Sequence, residues 1–447
     1  MKRRSVAAIL ACALALFSVT TLHAQVSLPQ VQVPNLPAVG DTVEQTLERP
    51  LNRVDPQVLR TLRETRVRAL IRENREVIEA DPKGAPILRR QVVAFDPSEA
   101  ALARALDAGF TVARRQLLEG LDTTLVVLSA PQGMSTRKAL AQLRKLDPTG
   151  SYDYNHIYLE SGSAASAAEG SDSYKSAAPS AQSAAQAQPV RVGLIDTGVD
   201  TGHPVFHATQ VTAHGCSGKQ VPGGHGTAVA SLLAGDGHEF RGAAPRATLY
   251  AADVYCGLPS GGAIDAILDA LAWMARERVP VVNISLVGPP NKLLESVTRK
   301  MLARGHSLVA AVGNDGPAAK PLFPASYPGV VGVTGVDAKS RVLLEACRGE
   351  QVDFAAPGSG IGAASLKGSF GEVRGTSFAA PIVAALLATR LATLDQQAAD
   401  RAIRDLESQA MDLGRKGRDD IYGSGLVGQA LRPQLEAALA IKSSQHK

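Results

Sequence analysis

Aromatic side chains are scarce in this chain. Phe, Trp and Tyr make up 4% of its 447 residues, with a single Trp. Few flat rings are therefore available for stacking nucleic-acid bases. The net charge of +5 and pI of about 9.0 do not restore that role, because much of the Arg lies in one local segment. No nucleic-acid partner is expected. Cysteine is also rare, with 4 in the chain. No C-x-x-C pair or Cys/His cluster is present, which argues against a zinc site. Cys216 with Cys256 is the first choice for a bridge, and Cys347 is then left as a thiol. Beyond the N-terminus there is no long apolar run, so no transmembrane segment is expected in the mature chain.

What is there begins with an address. "MKRR" is a basic n-region and "SVAAILACALALFSV" an apolar h-region. Leu22 and Ala24 stand where a signal-peptide cleavage site wants small or apolar side chains. Residues 1–24 are read as a Sec-type signal peptide, with export to the periplasm or medium. A rival reading takes "ILAC", ending at Cys12, as a lipobox, although it falls very early in the h-region. Hydrophobic residues at 45% and charged residues at 20% allow a large core.

Residues 25–90 comprise a Pro/Val/Gln-rich stretch and an Arg-rich segment with helical spacing and a solvated face. Residues 91–160 alternate as strand, helix, strand, strand, helix, strand. "QVVAFDP" opens the set and "SYDYNHIYLE" closes it, a ferredoxin-like α+β order. Residues 161–188 are Ser/Ala-rich and lack the large apolar side chains that offset the entropy of ordering. They read as an exposed, protease-accessible linker.

From 189 to 432 the pattern becomes α/β. "VRVGLID", "ATLYAADVY", "PVVNISLV", "HSLVAAVGN" and "GVVGVTGVD" are apolar strands, with helices between or after them. Continuous apolar strands imply a parallel sheet covered by helices on both faces. Ligand chemistry in such sheets gathers outside the carboxyl ends of the strands. Asp196 ends one such strand, His225 precedes a helix, Asn314 ends another strand and Ser377 heads a helix. Singly, these are an Asx turn, a loop residue, a turn and an N-cap. Together they are an acid, a base, an amide donor and a hydroxyl at one sheet edge. The polar tail at 433–447 does not resemble an anchor.

The blocks "LIDTGVDTGHP", "GHGTAVASLLAG", "AAVGNDGP" and "GTSFAAPIVAA" resemble those of the subtilisin-like serine proteases, over about Val190 to Val427. The resemblance implies Ser377 as nucleophile, His225 as base and Asp196 as the group orienting the imidazole. It assigns the oxyanion to the Asn314 amide and the Ser377 N–H. It places Ser285, Leu286, Val287 and Gly288, with Ala310, Ala311, Val312 and Gly313, around the substrate pocket. It lays Ser260, Gly261 and Gly262 along the substrate backbone. Polypeptides are the implied substrates. The chemistry requires no cofactor, and structural calcium, common in such proteins, has no assigned loop here.

Some positions depart from the pattern. Val287 and Val312 replace smaller residues, which implies a preference for small side chains before the scissile bond. Phe378 stands where Met is common, and Ala228 and Ser231 stand where His and Gly are common. The resemblance also implies that 91–160 is a propeptide acting as intramolecular chaperone and inhibitor, cut away within 160–189. A permanent accessory domain is the alternative.

Overall fold

The computed structural model describes residues 56–164, 190–237 and 240–432. The expected signal peptide, the Pro/Val/Gln-rich stretch, most of the Ser/Ala-rich linker and the polar tail lie outside the described residues.

The first element is α1 (Pro56–Glu73). Val67, Leu70 and Ile71 fall at three- and four-residue spacing, so they share one face. That face packs on Ile78, Ile157 and Leu159. The Arg-rich segment does not stay helical to its end. Asn74 turns the chain by donating from its side chain to the Leu70 carbonyl, and the apolar Ile78 then starts strand β1 (Ile78–Ala80).

Next come β2 (Pro86–Phe95), α2 (Glu99–Asp107), β3 (Thr111–Leu118), β4 (Thr123–Ser129), α3 (Thr136–Leu146) and β5 (Ser151–His156). Ser98 and Ser135 cap the two helices by accepting from Ala101 N–H and Lys138 N–H. The strands form one antiparallel sheet in the order β1-β2-β4-β3, with β5 also against β2. Strand alternation divides the side chains of β2. Val92 and Ala94 pack under Leu102 and Leu140 of the two helices. Val93 and Phe95 face the other way, into a cluster shared with the larger sheet.

The segment "SYDYNHIYLE", expected to form one strand, is two. It leaves the small sheet after His156 and continues as β6 (Leu159–Glu160); β7 (Ser163–Ala164) follows just beyond the segment, and both pair elsewhere. The physical reason is a change of partner, since the later residues hydrogen-bond to a different sheet edge.

The larger body contains β8 (Arg191–Asp196), β9 (Val211–Gly215), α4 (Gly224–Ala234), β10 (Thr248–Asp253), α5 (Ile264–Arg276) and β11 (Val281–Ile284). It continues through β12 (Leu286–Val287), α6 (Lys292–Ala303), β13 (Ser307–Ala311), β14 (Val331–Val336) and β15 (Phe354–Pro357). It ends with β16 (Ser359–Ala364), β17 (Phe370–Arg374), α7 (Thr376–Ala388) and α8 (Gln396–Gln409). Seven strands make a parallel sheet, β15-β14-β13-β11-β8-β10-β9. Val192, Leu194, Val309 and Val333 pack against α4 and α7 on one face. Ile195, Val282, Leu308 and Ala310 pack against α5 and α6 on the other. The fold is the expected α/β sheet with helices on both faces.

Two boundaries differ from expectation. "PVVNISLV" breaks at Ser285 into β11 and β12, and α7 stops at Ala388 rather than running on through "TRLATL". A disulfide joins Cys216 and Cys256, in the loops after β9 and β10. Cys347 is a buried thiol whose pKa burial pushes up to about 12, so it is not a nucleophile at neutral pH.

Candidate active site

Asp196 is the last residue of β8 and His225 the second of α4. Close packing brings them together. A Cβ on Gly226 would lie 2.1 Å from the Thr197 carbonyl oxygen, so only glycine lets α4 start against the end of β8. The Gly226 N–H donates to Thr197 Oγ1. Thr197 N–H in turn donates to Asp196 Oδ1 at 2.7 Å, which fixes the carboxylate.

His225 Nδ1 lies 2.8 Å from Asp196 Oδ1 and 3.0 Å from Oδ2, with both side chains buried. A carboxylate only accepts, so Nδ1 carries the proton and Nε2 has a free lone pair. Burial by itself disfavours the imidazolium. The Asp196 charge and hydrogen bond, with the Glu160 charge behind them, outweigh it and raise the His225 pKa above its ordinary value. Nε2 is buried with no hydrogen-bond partner. The Phe378 ring packs beside the imidazole, 5.2 Å between centroids.

Ser377 is the second residue of α7, a helix buried nearly all round. Pro381 lacks an N–H, so the Ser377 carbonyl has no helical partner. Ser285 supplies one. Its hydroxyl donates to that carbonyl at 3.0 Å and itself accepts from Asn283 Nδ2 at 2.8 Å. The Ser377 hydroxyl donates back to the Ser285 carbonyl at 3.1 Å rather than to His225. The break between β11 and β12 is thus where Ser285 turns to meet α7. Sequence reasoning placed Ser285 in the substrate pocket and missed this bond; the missing N–H of Pro381 was the signal for it.

Asn314 follows β13. Thr376 N–H donates to its Oδ1 at 3.1 Å, which orients Nδ2 toward the cleft. Thr376 Oγ1 also accepts from Gly313 N–H, tying the two loops together.

The cleft is filled by the chain itself. Tyr158 N–H donates to the Gly262 carbonyl at 2.8 Å, and Ile157 bridges to Ala263. β6 pairs antiparallel with β12, Leu159 opposite Val287 and Glu160 opposite Leu286. Ser377 N–H donates to the Ser161 carbonyl at 3.2 Å, while Asn314 Nδ2 donates to the Ser161 hydroxyl at 3.1 Å. Beyond it, β7 pairs antiparallel with Val373 and Arg374 of β17. Gly375 permits this approach, since a Cβ there would lie 2.7 Å from Gly162 Cα.

Other expected site residues fall around this segment. Gly262 meets the backbone of residues 157–164, a tail that runs through the cleft, whereas Ser260 and Gly261 belong to the preceding turn, where Gly261 N–H donates to the Leu258 carbonyl. A Cβ on Gly288 would lie 2.6 Å from the Tyr158 ring. Ala310, Val312 and Val287 are buried in the same apolar cluster as Tyr158, and Ala311 faces the opposite cluster. Ser231 accepts from Ala364 N–H and donates to the Ala228 carbonyl, tying α4 to β16. Two features escaped sequence reasoning. One is the ion pair of Arg63 in α1 with Asp315, next to Asn314, at 3.0 Å. The other is the seating of Tyr158 to Gly162.

Residues 187–425 match the subtilase family model, Peptidase S8. The chain is 31% identical to the minor extracellular protease Epr of Bacillus subtilis (strain 168) over 53% of this chain and 37% of that one. It is 32% identical to Subtilisin E of the same organism over 65% of this chain and 77% of that one. In three dimensions it resembles fervidolysin of Fervidobacterium pennivorans, described as a keratinolytic enzyme related to subtilisin. The TM-score is 0.63 at 21% identity, over 79% of this chain and 61% of that one. The matched blocks, the parallel sheet and the residues at its carboxyl edge lead to one conclusion: the chain belongs to the subtilase family of serine endopeptidases.

Proposed function

We propose that this chain is an exported endopeptidase, made as a precursor, which hydrolyses polypeptides through Asp196, His225 and Ser377. The observation that carries the reading is the hydrogen bond from Ser377 N–H to a peptide carbonyl beside a buried His–Asp pair with a free Nε2. Rotation of the Ser377 side chain away from the Ser285 carbonyl would give Nε2 its missing partner. His225 then takes the hydroxyl proton as Ser377 Oγ attacks the substrate carbonyl, and returns it to the leaving amine. Asp196 holds the tautomer and stabilises the imidazolium. The developing oxyanion takes the Ser377 N–H, with Asn314 Nδ2 as second donor; loss of one such donor typically costs ~10²–10³ in kcat.

The small domain before residue 160 and the tail in the cleft support the propeptide reading, with the domain acting as inhibitor until it is cut away. The signal-like residues 1–24 support export, and a relative carries "extracellular" in its name. No described helix is long and apolar enough to cross a membrane. A serine-directed fluorophosphonate tests the reading. Wild-type protein freed of its N-terminal half should label and hydrolyse casein, and Ser377→Ala should lose both, with kcat down at least ~10⁴-fold. Freed wild-type protein that neither labels nor hydrolyses casein would instead be a binding protein on this fold.

A further inference from the structure

We propose that the ion pair of Glu345 with Arg374 is a positioning brace for the oxyanion site. It sets the spacing between the Ser377 N–H and Asn314 Nδ2, and so acts on kcat rather than on substrate binding. The inference rests on the endopeptidase reading above.

Two donors aimed at one developing charge must be held ready, to within about 0.5 Å. Here they belong to segments far apart in the chain. Each segment begins at a glycine with a positive φ, +102° at Gly313 and +141° at Gly375. Glycine restrains the backbone least. The restraint on both donors must therefore come from cross-links.

One set of cross-links is direct. Thr376 N–H donates to Asn314 Oδ1 at 3.1 Å, and Gly313 N–H donates to Thr376 Oγ1 at 3.2 Å. Both are neutral and at the long end of the usual range. The second set runs through Glu345. Its carbonyl accepts from Gly316 N–H at 2.8 Å, and Cys347 N–H donates to the Gly313 carbonyl at 2.9 Å. Residues 345–347 thus grip both ends of the loop that carries Asn314.

The Glu345 side chain then reaches across to Arg374, the last residue of β17 and the one before Gly375. Arg374 Nη2 donates to Glu345 Oε2 at 2.8 Å, and Nε lies 2.8 Å from Oε1. Arg374 Nη1 donates to Ser359 Oγ at 3.0 Å, which leaves the guanidinium little freedom. The two side chains are 26% and 16% exposed. A two-pronged, partly shielded pair is stronger and better defined than an ion pair in open solvent. Among the described residues, neither side chain bonds to Asp196, His225, Asn314 or Ser377. The pair therefore acts through the segments it joins. Only a guanidinium makes the fork, so Lys is not an equivalent at position 374.

The test compares variants made as the full chain and freed of their N-terminal half. Active sites are counted with the fluorophosphonate, so misfolded protein drops out of kcat. Glu345→Gln should lower kcat on a peptide substrate about tenfold, with KM within about twofold. Arg374→Lys should show the same fall. A peptide boronic acid should lose affinity by the same factor of about ten. In that adduct the Ser377 oxygen adds to boron, its proton passes to His225, and a boron-bound oxygen takes the oxyanion position. In an Asn314→Ala background, Glu345→Gln should cost less than about twofold, because the second donor is gone. A merely structural role would cost the same in both backgrounds. That result, a change confined to KM, or a wild-type kcat in Arg374→Lys overturns this inference and leaves the endopeptidase reading standing. Wild-type protein that neither labels nor hydrolyses casein removes the reading itself.

Discussion

Ser285 and Ser377 exchange hydrogen bonds, each hydroxyl donating to the other residue's carbonyl. One of the pair satisfies a carbonyl that Pro381 leaves open. Buried carbonyls without partners are costly, and a net hydrogen bond is worth about 1 kcal/mol. Ser285 is therefore a positioning residue, holding the first turn of α7 where the Ser377 N–H reaches the Ser161 carbonyl. Ser285→Ala should lower kcat about fivefold to tenfold while KM changes less than about twofold, the split expected when binding is intact and geometry is loosened. A fall confined to KM would instead make Ser285 a substrate-contact residue. The Pro was visible in the sequence; its hydrogen-bonding consequence was not, because Ser285 lies 92 positions before Ser377.

At the scale of elements, α1 covers the solvent side of the tail. Val67 packs in one cluster with Ile157 and Leu159, and Arg63 reaches past them to Asp315. Burial raises the Asp315 pKa and the Arg63 charge opposes that shift, so removing Arg63 leaves a poorly solvated carboxylate. On the propeptide reading proposed above, α1 is expected to hold the tail in the cleft after a cut. In Arg63→Ala, the delay between processing and appearance of casein-hydrolysing activity should shorten about fivefold to tenfold, consistent with loss of a part-buried pair. An unchanged delay would show that α1 only decorates the surface. The Arg-rich spacing announced a helix but not its docking, since the partner strand is itself split from the segment read as one strand.

For the whole molecule, stability should depend on pH through buried histidines. His306 is 2% exposed and donates from Nδ1 to the Val279 carbonyl at 2.7 Å. Burial lowers its pKa to about 4; the Val279 bond opposes the shift and the Arg304 and Arg278 charges add to it. The unfolded chain thus binds more protons than the native one between about pH 6.5 and 4, and stability falls as pH falls through that window. The full difference is on the order of 3 kcal/mol. Chemical denaturation of Ser377→Ala precursor, which avoids self-digestion, should lose stability between pH 7 and 4.5. The double variant with His306→Asn should lose less; equal slopes would remove His306 from the account.

The sequence by itself determined most of the elements and the family. Apolar runs of strand length alternating with amphipathic helices dictate a covered parallel sheet, and the polar residues at its strand ends carry the family blocks. These are local properties, set by side-chain periodicity and by the backbone freedom of glycines at turns. The short strands β9, β15, β16 and β17 and helix α8 escaped, because a few small or mixed residues carry little periodic signal. Tertiary structure alone decided what lies in the cleft. Nothing in "IYLESG" distinguishes a strand end from an occupant of the site. Its place is set by pairing with β12 and β17, by the room that Gly262, Gly288 and Gly375 leave, and by α1 packed over it. Those are contacts between residues far apart in the chain, and only folding brings them together.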